Sequence, residues 1–465
     1  MKVAIIGAGI SGLSTAHFLK KAGIDATIFE KNKYPGGTIS SKMVDGYLVE
    51  SGPNSTSETN HVIDELLSDL GIQDEKVYAD ENSKYRFILR NGTLHALPSG
   101  PGSFITTKLW TAHGKLRLLG EPFTGRADHE ESIADFVARR LGREFLDYAI
   151  NPFVAGVYAG DPSELSVRAA FPKLYALEEK YGGLLKGTII GAKERRKLPD
   201  KARVSAKLFA FKRGMGALPT TIAKHLGTGI GYQRSAVNVE SAGASGKFRV
   251  SFERDGKTEN ETFDSVVLSV PSYAAAEILR SWLPELSSEL TKIKYPPVAV
   301  AVLGYKLEHV KIDSRLDHSG TGLQGFGFLI PEIEKRKILG TIWSSSIFPN
   351  RAPDGFVELT TFLGGSRQPD VVKLSSEEIA QVAHEENSAL MSIEGEPVFQ
   401  SVSKWEKAIP QYNIGHLSIM DVVCHVESLY KGFYICSNYR DGISVADCIA
   451  NGKKTAERIA TDFTG

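Results

Sequence analysis

The sequence predicts an α/β protein whose core is a parallel, doubly wound sheet assembled from separated parts of the chain, with further domains inserted between them. Three observations predict it. Short runs of Val, Ile and Leu, as expected of strands buried on both faces, occur near the start, middle and end of the 465 residues. The first run passes at once into a glycine-rich turn and an apolar-periodic helix. Between the runs the chain changes character, helix-like first and strand-like later.

Taken in order, residues 2–6 read as a buried strand, and Gly7-Ala8-Gly9-Ile10-Ser11-Gly12 follows directly. An apolar-periodic helix then runs from about Leu13 to Ala22, and a second strand over 26–29 ends in Glu30. Each piece has a chemical reason. Gly7 allows the tight turn, Gly9 lets a pyrophosphate approach the backbone, and Gly12 lets helix and strand pack closely. The helix N-terminus offers free N–H groups to phosphates. Glu30, eighteen residues past Gly12, is placed to accept hydrogen bonds from ribose hydroxyls. Its charge would repel a ribose phosphate, so FAD or NAD is favoured over NADP.

Residues from roughly 62 to 225 read as mostly helical, with apolar residues three and four apart in 61–70, 133–141 and 169–177. From Gly231 onward strand-like alternation appears in 236–239 and 247–252, and 263–270 reads as another buried strand closed by Pro271. After Pro296-Pro297, residues 298–305 open a second sheet-rich region lasting to about residue 400. Residues 432–436 make a last parallel strand, followed by a turn at Asp441-Gly442 and a helix through Arg458. The economical assembly is a discontinuous Rossmann-type domain from 1–84, 206–297 and 405–465. A helical domain over 85–205 and a sheet-rich substrate domain over 298–404 are inserted in it.

Apolar residues make up 42% of the chain and aromatics 9%, enough for a substantial core. Basic and acidic residues balance at 55 each, so nothing global points to nucleic acid. Cys424, Cys436 and Cys448 are an odd number with wide spacing, suited neither to a disulfide framework nor to a metal site. The eleven histidines show no paired-ligand spacing, so no metal is implied. No run of about 18 apolar residues occurs, and the N-terminal run is too short and too glycine-broken for an export signal. The expected location is cytoplasmic.

Several segments carry a family resemblance. Tyr34-Pro35-Gly36-Gly37-Thr38 resembles the second glycine pair of FAD-dependent oxidases of the amine oxidase and phytoene desaturase superfamily. Glu50-Ser51-Gly52-Pro53-Asn54-Ser55 resembles the E-x-GPxS segment of its protoporphyrinogen and coproporphyrinogen oxidase branch, and residues 151–162, ending Gly156-Val157-Tyr158-Ala159-Gly160-Asp161-Pro162, resemble that branch's GVYAGD stretch. The run from Ser437 to Cys448 is similar to the closing flavin segment, and the likeness extends through 323–327, 348–353 and 363–365. It covers essentially the whole chain in collinear order.

The resemblance implies non-covalent FAD held by Gly7 to Gly12, Glu30, Lys31, Gly36, Gly37, Thr38, Gly52, Pro53, Asn54, Ser55, Val237, Asn438, Ile443, Ser444 and Val445. Val237 would lie near the adenine. Asn438 and Ile443 to Val445 would direct backbone N–H groups at the flavin. The implied substrate is a porphyrinogen, oxidised by six electrons in three flavin turnovers with dioxygen as acceptor and hydrogen peroxide as product. The cofactor does the redox chemistry, and no side chain stands out as a dedicated catalytic base. By the same resemblance Arg86 pairs with a propionate, Leu329, Ile342 and Phe362 clamp the tetrapyrrole, and the Gly156 carbonyl faces its pyrrole N–H groups. Arg86 tilts the choice towards protoporphyrinogen over coproporphyrinogen.

Residues 104–110 with Lys115, Leu116, Arg117, Leu118 and Leu119 mix apolar and basic side chains as interfacial helices do. Residues 193–213 add nine basic residues against two acidic ones, a patch that anionic lipid could attract. The further expectations from the family are peripheral contact with the inner membrane face, product hand-over to a chelatase, and a homodimer. Two rivals stay open. A flavin amine oxidase would carry an aromatic cage, one member of which falls where this chain has Ile443. A non-catalytic tetrapyrrole-binding flavoprotein would keep the same cofactor motifs.

Overall fold

The computed structural model describes residues 1–196, 206–243, 246–310 and 323–464. Its central sheet has five parallel strands in the spatial order Ile230–Tyr232, Ala26–Glu30, Val3–Ile6, Ser265–Leu268 and Phe433–Ile435. Val3 pairs with both Ala26 and Ser265, so the first strand lies at the centre. All four of its residues are buried because both faces are covered. Val3 and Ile5 pack with Leu13, Ile449 and Ile222 on the side of helices Ile10–Lys21, Val445–Thr464 and Ala217–Leu226. Ala4 and Ile6 pack on the other side with Ala275, Leu286 and Val423, from three further helices. The two-residue period of the strand thus divides one apolar run between two cores.

A second sheet of seven strands runs in the order Phe399–Trp405, Val298–Lys306, Phe356–Gly364, Gly340–Ile342, Gly327–Leu329, Arg86–Arg90 and Thr93–Ala96. One face is sealed by helix Ser376–Met391, whose Ile379, Ala380 and Ala383 pack on Leu359, Leu363 and Ala301. The opposite face looks towards Tyr47, Val49 and Ala155. A third group is helical. Ile133–Arg140, Asn151–Tyr158 and Pro172–Tyr181 surround a core that includes Phe136, Val154 and Tyr158.

The structure corrects the sequence reading in three places. The stretch expected to be helical from residue 85 opens with two strands, Arg86–Arg90 and Thr93–Ala96, which join the seven-stranded sheet through Arg86–Gly327 pairing. The reason is legible: Phe87 and Leu89 are buried on one face and Ile88 on the other, and Asn91-Gly92 turns the hairpin with positive φ at both residues. The helix expected over 169–177 is broken into Val167–Ala170 and Pro172–Tyr181, because Pro172 cannot continue a helix but starts one well. Phe263 ends the antiparallel strand Lys257–Phe263, and the parallel strand begins only at Ser265.

Candidate functional site

Gly7 leaves the central strand with φ +104°, and a Cβ there would stand 2.7 Å from the Ser269 carbonyl oxygen. A Cβ on Gly12 would stand 2.1 Å from the Gly7 carbonyl oxygen. Gly9 differs from both. It caps helix Ile10–Lys21 in extended backbone, no side chain caps that helix, and nothing lies within 4 Å of where its Cβ would point. Turn and packing are therefore tight at Gly7 and Gly12, while Gly9 borders open space in front of a helix N-terminus. That is an anion-binding arrangement.

The second glycine pair docks onto the first. The Gly36 N–H donates to the Ala8 carbonyl at 2.8 Å, and Gly9 and Gly36 form a parallel bridge. Glu30 is buried and its carboxylate accepts from the Ala8 N–H at 2.8 Å on one oxygen, and from the Asn32 N–H and side-chain amide on the other. An ionised carboxylate has about four acceptor sites, so one remains for a ribose hydroxyl. Lys31, the next residue, and Thr38 are exposed. Val237 is the bulged residue of its strand, skipped where the pairing passes from Ala236 to Asn238, and it is exposed.

The segment Gly52-Pro53-Asn54-Ser55 is fixed from several directions. A Cβ on Gly52 would stand 2.1 Å from the Thr38 carbonyl oxygen. Arg351 donates to the Asn54 carbonyl at 3.0 Å and to Glu50 at 2.6 Å. Glu50 also accepts from the Met215 N–H at 2.9 Å and the Ser41 hydroxyl at 2.5 Å. Asn54 and Ser55 line one cavity together with Phe326, Ile342, Ser344 and Arg351. The cofactor-like loops thereby meet the seven-stranded sheet.

The last contributor is the loop between Phe433–Ile435 and the closing helix. The Tyr412 hydroxyl donates to the Asn438 carbonyl at 2.8 Å and accepts from the Gly442 N–H at 3.1 Å. Its ring stacks on His416 with centroids 4.1 Å apart. Burial pushes the Tyr412 phenol well above its usual range and the His416 imidazole down to about 4, so both stay neutral. Ser444 accepts from the Asp447 N–H and caps the closing helix, which leaves Ile443 and Val445 flanking its first turn. Ile443 packs against the core that holds Val154 and Tyr158.

Four of the five expected substrate residues share one sheet face. Arg86 pairs with Gly327, Gly327 with Ile342, Leu329 with Gly340, and Gly340 with Phe362. Alternation then puts the Arg86, Leu329, Ile342 and Phe362 side chains together on the face turned towards Tyr47 and Ala155. Leu329, Ile342 and Phe362 are half-buried, and Arg86 is exposed with its guanidinium 4.8 Å from the Phe326 ring centre. Gly156, the fifth, sits in the last turn of Asn151–Tyr158, where a Cβ would meet Leu329 at 2.7 Å. Carbonyls in the last turn of a helix lack intrahelical partners, so a ring lying there finds acceptors.

Sequence reasoning missed Arg351, Glu50 and Tyr412 as site builders. Glu50 and Arg351 lie within the 50–55 and 348–353 segments, where no local spacing shows their pairing, and Tyr412 carries no local signal. In the proposed interfacial patch, Ile105, Leu116 and Leu119 are exposed, but Leu109 and Trp110 are buried, with Trp110 stacked on Phe145 at 4.6 Å. Much of the basic cluster over 193–213 lies outside the described residues. Among those residues no helix is long and apolar enough to cross a membrane.

The fold and these loops define a flavin-dependent oxidoreductase, and the comparisons agree. Residues 10–460 match the family of flavin containing amine oxidoreductases, and the chain belongs to that family. Protoporphyrinogen oxidase 2 of Arabidopsis thaliana is 33% identical, with 98% of this chain and 93% of that protein covered. Coproporphyrinogen III oxidase of Bacillus subtilis is 30% identical, with coverage of 97% and 96%. The chain thus falls in the protoporphyrinogen and coproporphyrinogen oxidase branch. FAD is its cofactor. In fold alone it resembles a structure from Exiguobacterium sp. 255-15 described as a protoporphyrinogen oxidase, at TM-score 0.80 and 22% identity over 99% of this chain and 98% of that one. Putrescine oxidase shares the fold at TM-score 0.72 and 18% identity, over 99% and 98%.

Proposed function

We propose that this chain is an oxygen-dependent protoporphyrinogen IX oxidase of heme or tetrapyrrole biosynthesis. It removes six electrons in three flavin turnovers, each closed by dioxygen with release of hydrogen peroxide. The observation that carries the reading is the shared sheet face of Arg86, Leu329, Ile342 and Phe362, facing the last turn that holds Gly156. A flat apolar ring with carboxylate arms needs such an apolar slot with a cation at its rim. Gly9 and the helix N-terminus behind it would hold the FAD pyrophosphate and Glu30 its ribose, while Val237 would border the adenine and Gly52 to Ser55, Asn438 and Ile443 to Val445 the flavin.

Coproporphyrinogen III is the second reading, favoured by the Bacillus subtilis relative. Porphyrin fluorescence is followed in air with purified, FAD-loaded protein given each porphyrinogen in parallel. Preference for protoporphyrinogen with about three peroxides per porphyrin supports the first reading, and preference for coproporphyrinogen the second. No enhancement over spontaneous oxidation with either sinks both.

Peripheral membrane contact is part of the proposal. Ile105, Leu116, Leu119 and Phe123 are exposed, Phe123 at 90%, beside Lys108 and Arg117. Flotation with anionic vesicles tests it, and protein that stays at the bottom of the gradient refutes it. Discontinuous FAD-binding segments with inserted helical and substrate domains complete the assignment, together with a homodimer and hand-over of the porphyrin to a chelatase.

A further inference from the structure

The sheet face that bears Phe362 also carries a buried acid that the flavin chemistry does not itself require. Glu358 lies on strand Phe356–Gly364, four residues from Phe362 and on the same face. Its side chain is 1% exposed, and its Oε2 atom has no hydrogen-bond partner among the described residues. Ser344, two residues beyond Ile342, lines the cavity shared with Asn54 and Ser55. Its hydroxyl is 2.7 Å from that of Thr360 and lies close enough to the Glu358 carboxyl to favour its charged form. A short polar path therefore leads from the cavity through Ser344 to a buried carboxyl.

We propose that Glu358 accepts, through the Ser344 hydroxyl, the proton that the tetrapyrrole loses in each two-electron step. The inference rests on the porphyrinogen reading above. In each step one C–H bond of the ring breaks with its electron pair, which leaves as hydride to FAD, and one proton leaves with it. That proton passes to the Glu358 carboxylate. It departs again when dioxygen takes up two electrons and two protons to give hydrogen peroxide, one proton from the flavin and one from Glu358.

The surroundings suit the task. Arg351 lies within electrostatic reach of Glu358 but is committed to Glu50 at 2.6 Å, so Glu358 has no guanidinium of its own. The Tyr47 hydroxyl, also buried and unpartnered among the described residues, approaches from strand Tyr47–Glu50. Burial raises the Glu358 carboxyl to about 8, with Glu50 adding to the rise and Arg351 opposing it. A group that titrates near the working pH is well matched to proton exchange. A purely structural position would gain more from Gln, which avoids the ionised state altogether.

The test is anaerobic bleaching of bound FAD by each porphyrinogen in parallel, by stopped flow from about pH 6 to about pH 9.5. In the parent protein the bleaching rate should rise with one ionisation near 8 and then level. Glu358→Gln should bleach at least about a hundredfold more slowly, with that ionisation gone. Ser344→Ala should fall between the two. Independently of turnover, the infrared carbonyl band of a neutral carboxyl should be present in the parent at neutral pH and absent from Glu358→Gln. Glu358→Gln with the parent's rate and pH profile overturns the inference, as does a parent without the band. If Glu358→Gln fails to retain FAD, Ser344→Ala decides, and a parental rate there overturns it. A parent whose flavin is bleached by neither porphyrinogen overturns the oxidase reading and this role together, whereas failure of Glu358 alone shows only in the variants.

Discussion

Glu50 and Arg351 stand 301 positions apart in the chain and meet at 2.6 Å, each with its side chain 1% exposed. Around this pair the Asn54 carbonyl, the Met215 N–H and the Ser41 hydroxyl are all satisfied. Arg351→Ala leaves the Glu50 charge buried without its partner, and loss of one member of a buried pair costs about 3–5 kcal/mol. We expect that loss in urea unfolding and an empty flavin site in the protein that remains folded. Unchanged stability would refute it.

Gly9 and Gly12 should separate cofactor binding from folding. Gly9→Ala points its methyl into open space, so the fold should persist within about 0.5 kcal/mol while FAD is lost. Gly12→Ala meets the Gly7 carbonyl oxygen at 2.1 Å and should lower Tm sharply. Flavin absorbance and thermal unfolding of both variants decide the matter.

Tyr412→Phe keeps the stacked ring and removes one hydroxyl from between Asn438 and Gly442. Two hydrogen bonds to the loop proposed to border the flavin disappear, and a net loss of about 1.4 kcal/mol corresponds to about tenfold weaker FAD binding. Fluorescence titration of the apoprotein with FAD measures it. Tyr305→Phe, in which the lost hydroxyl contacts His384 on the far side of the seven-stranded sheet, should leave FAD affinity unchanged.

Two buried groups give stability opposite pH slopes. Folding lowers the His416 pKa from 6.5 to about 4. Between those values the unfolded chain holds a proton that the folded chain lacks, so this contribution is complete above about 6.5 and is lost as pH falls. Folding raises Glu358 from 4.5 to about 8, so its contribution is complete below about 4.5 and is lost as pH rises. Urea midpoints across pH should lose their acid limb in His416→Phe and part of their alkaline limb in Glu358→Gln. Differences from the parent that do not vary with pH would refute the assignment.

Arg86→Ala should raise KM for the porphyrinogen about tenfold with little change in kcat, as expected of uniform binding at an exposed rim. A fall in kcat with constant KM would place Arg86 in the chemistry instead.

The parts of the site that sequence revealed are those written locally. Gly7, Gly9, Gly12 and Glu30 fall within one strand–helix–strand unit, so spacing alone carries their geometry. The sheet strand at Arg86 was also written locally, in its two-residue alternation and its Asn91-Gly92 turn, but the surrounding helical pattern masked it. The clamp at Tyr412, the Glu50–Arg351 pair and the neutral acid at Glu358 were not legible. Each depends on contacts between segments whose approach only the folded sheet determines.

The central sheet has a consequence for how the protein is made. Its five strands come from the first thirty residues, from between Ile230 and Leu268, and from Phe433–Ile435. A ribosome that has released the glycine loop has therefore made only half of the proposed cofactor site. The Tyr412 clamp and the closing helix are still to be synthesised. Cofactor capture must wait for nearly the whole chain, and until then the early strands remain an unfinished edge in need of protection.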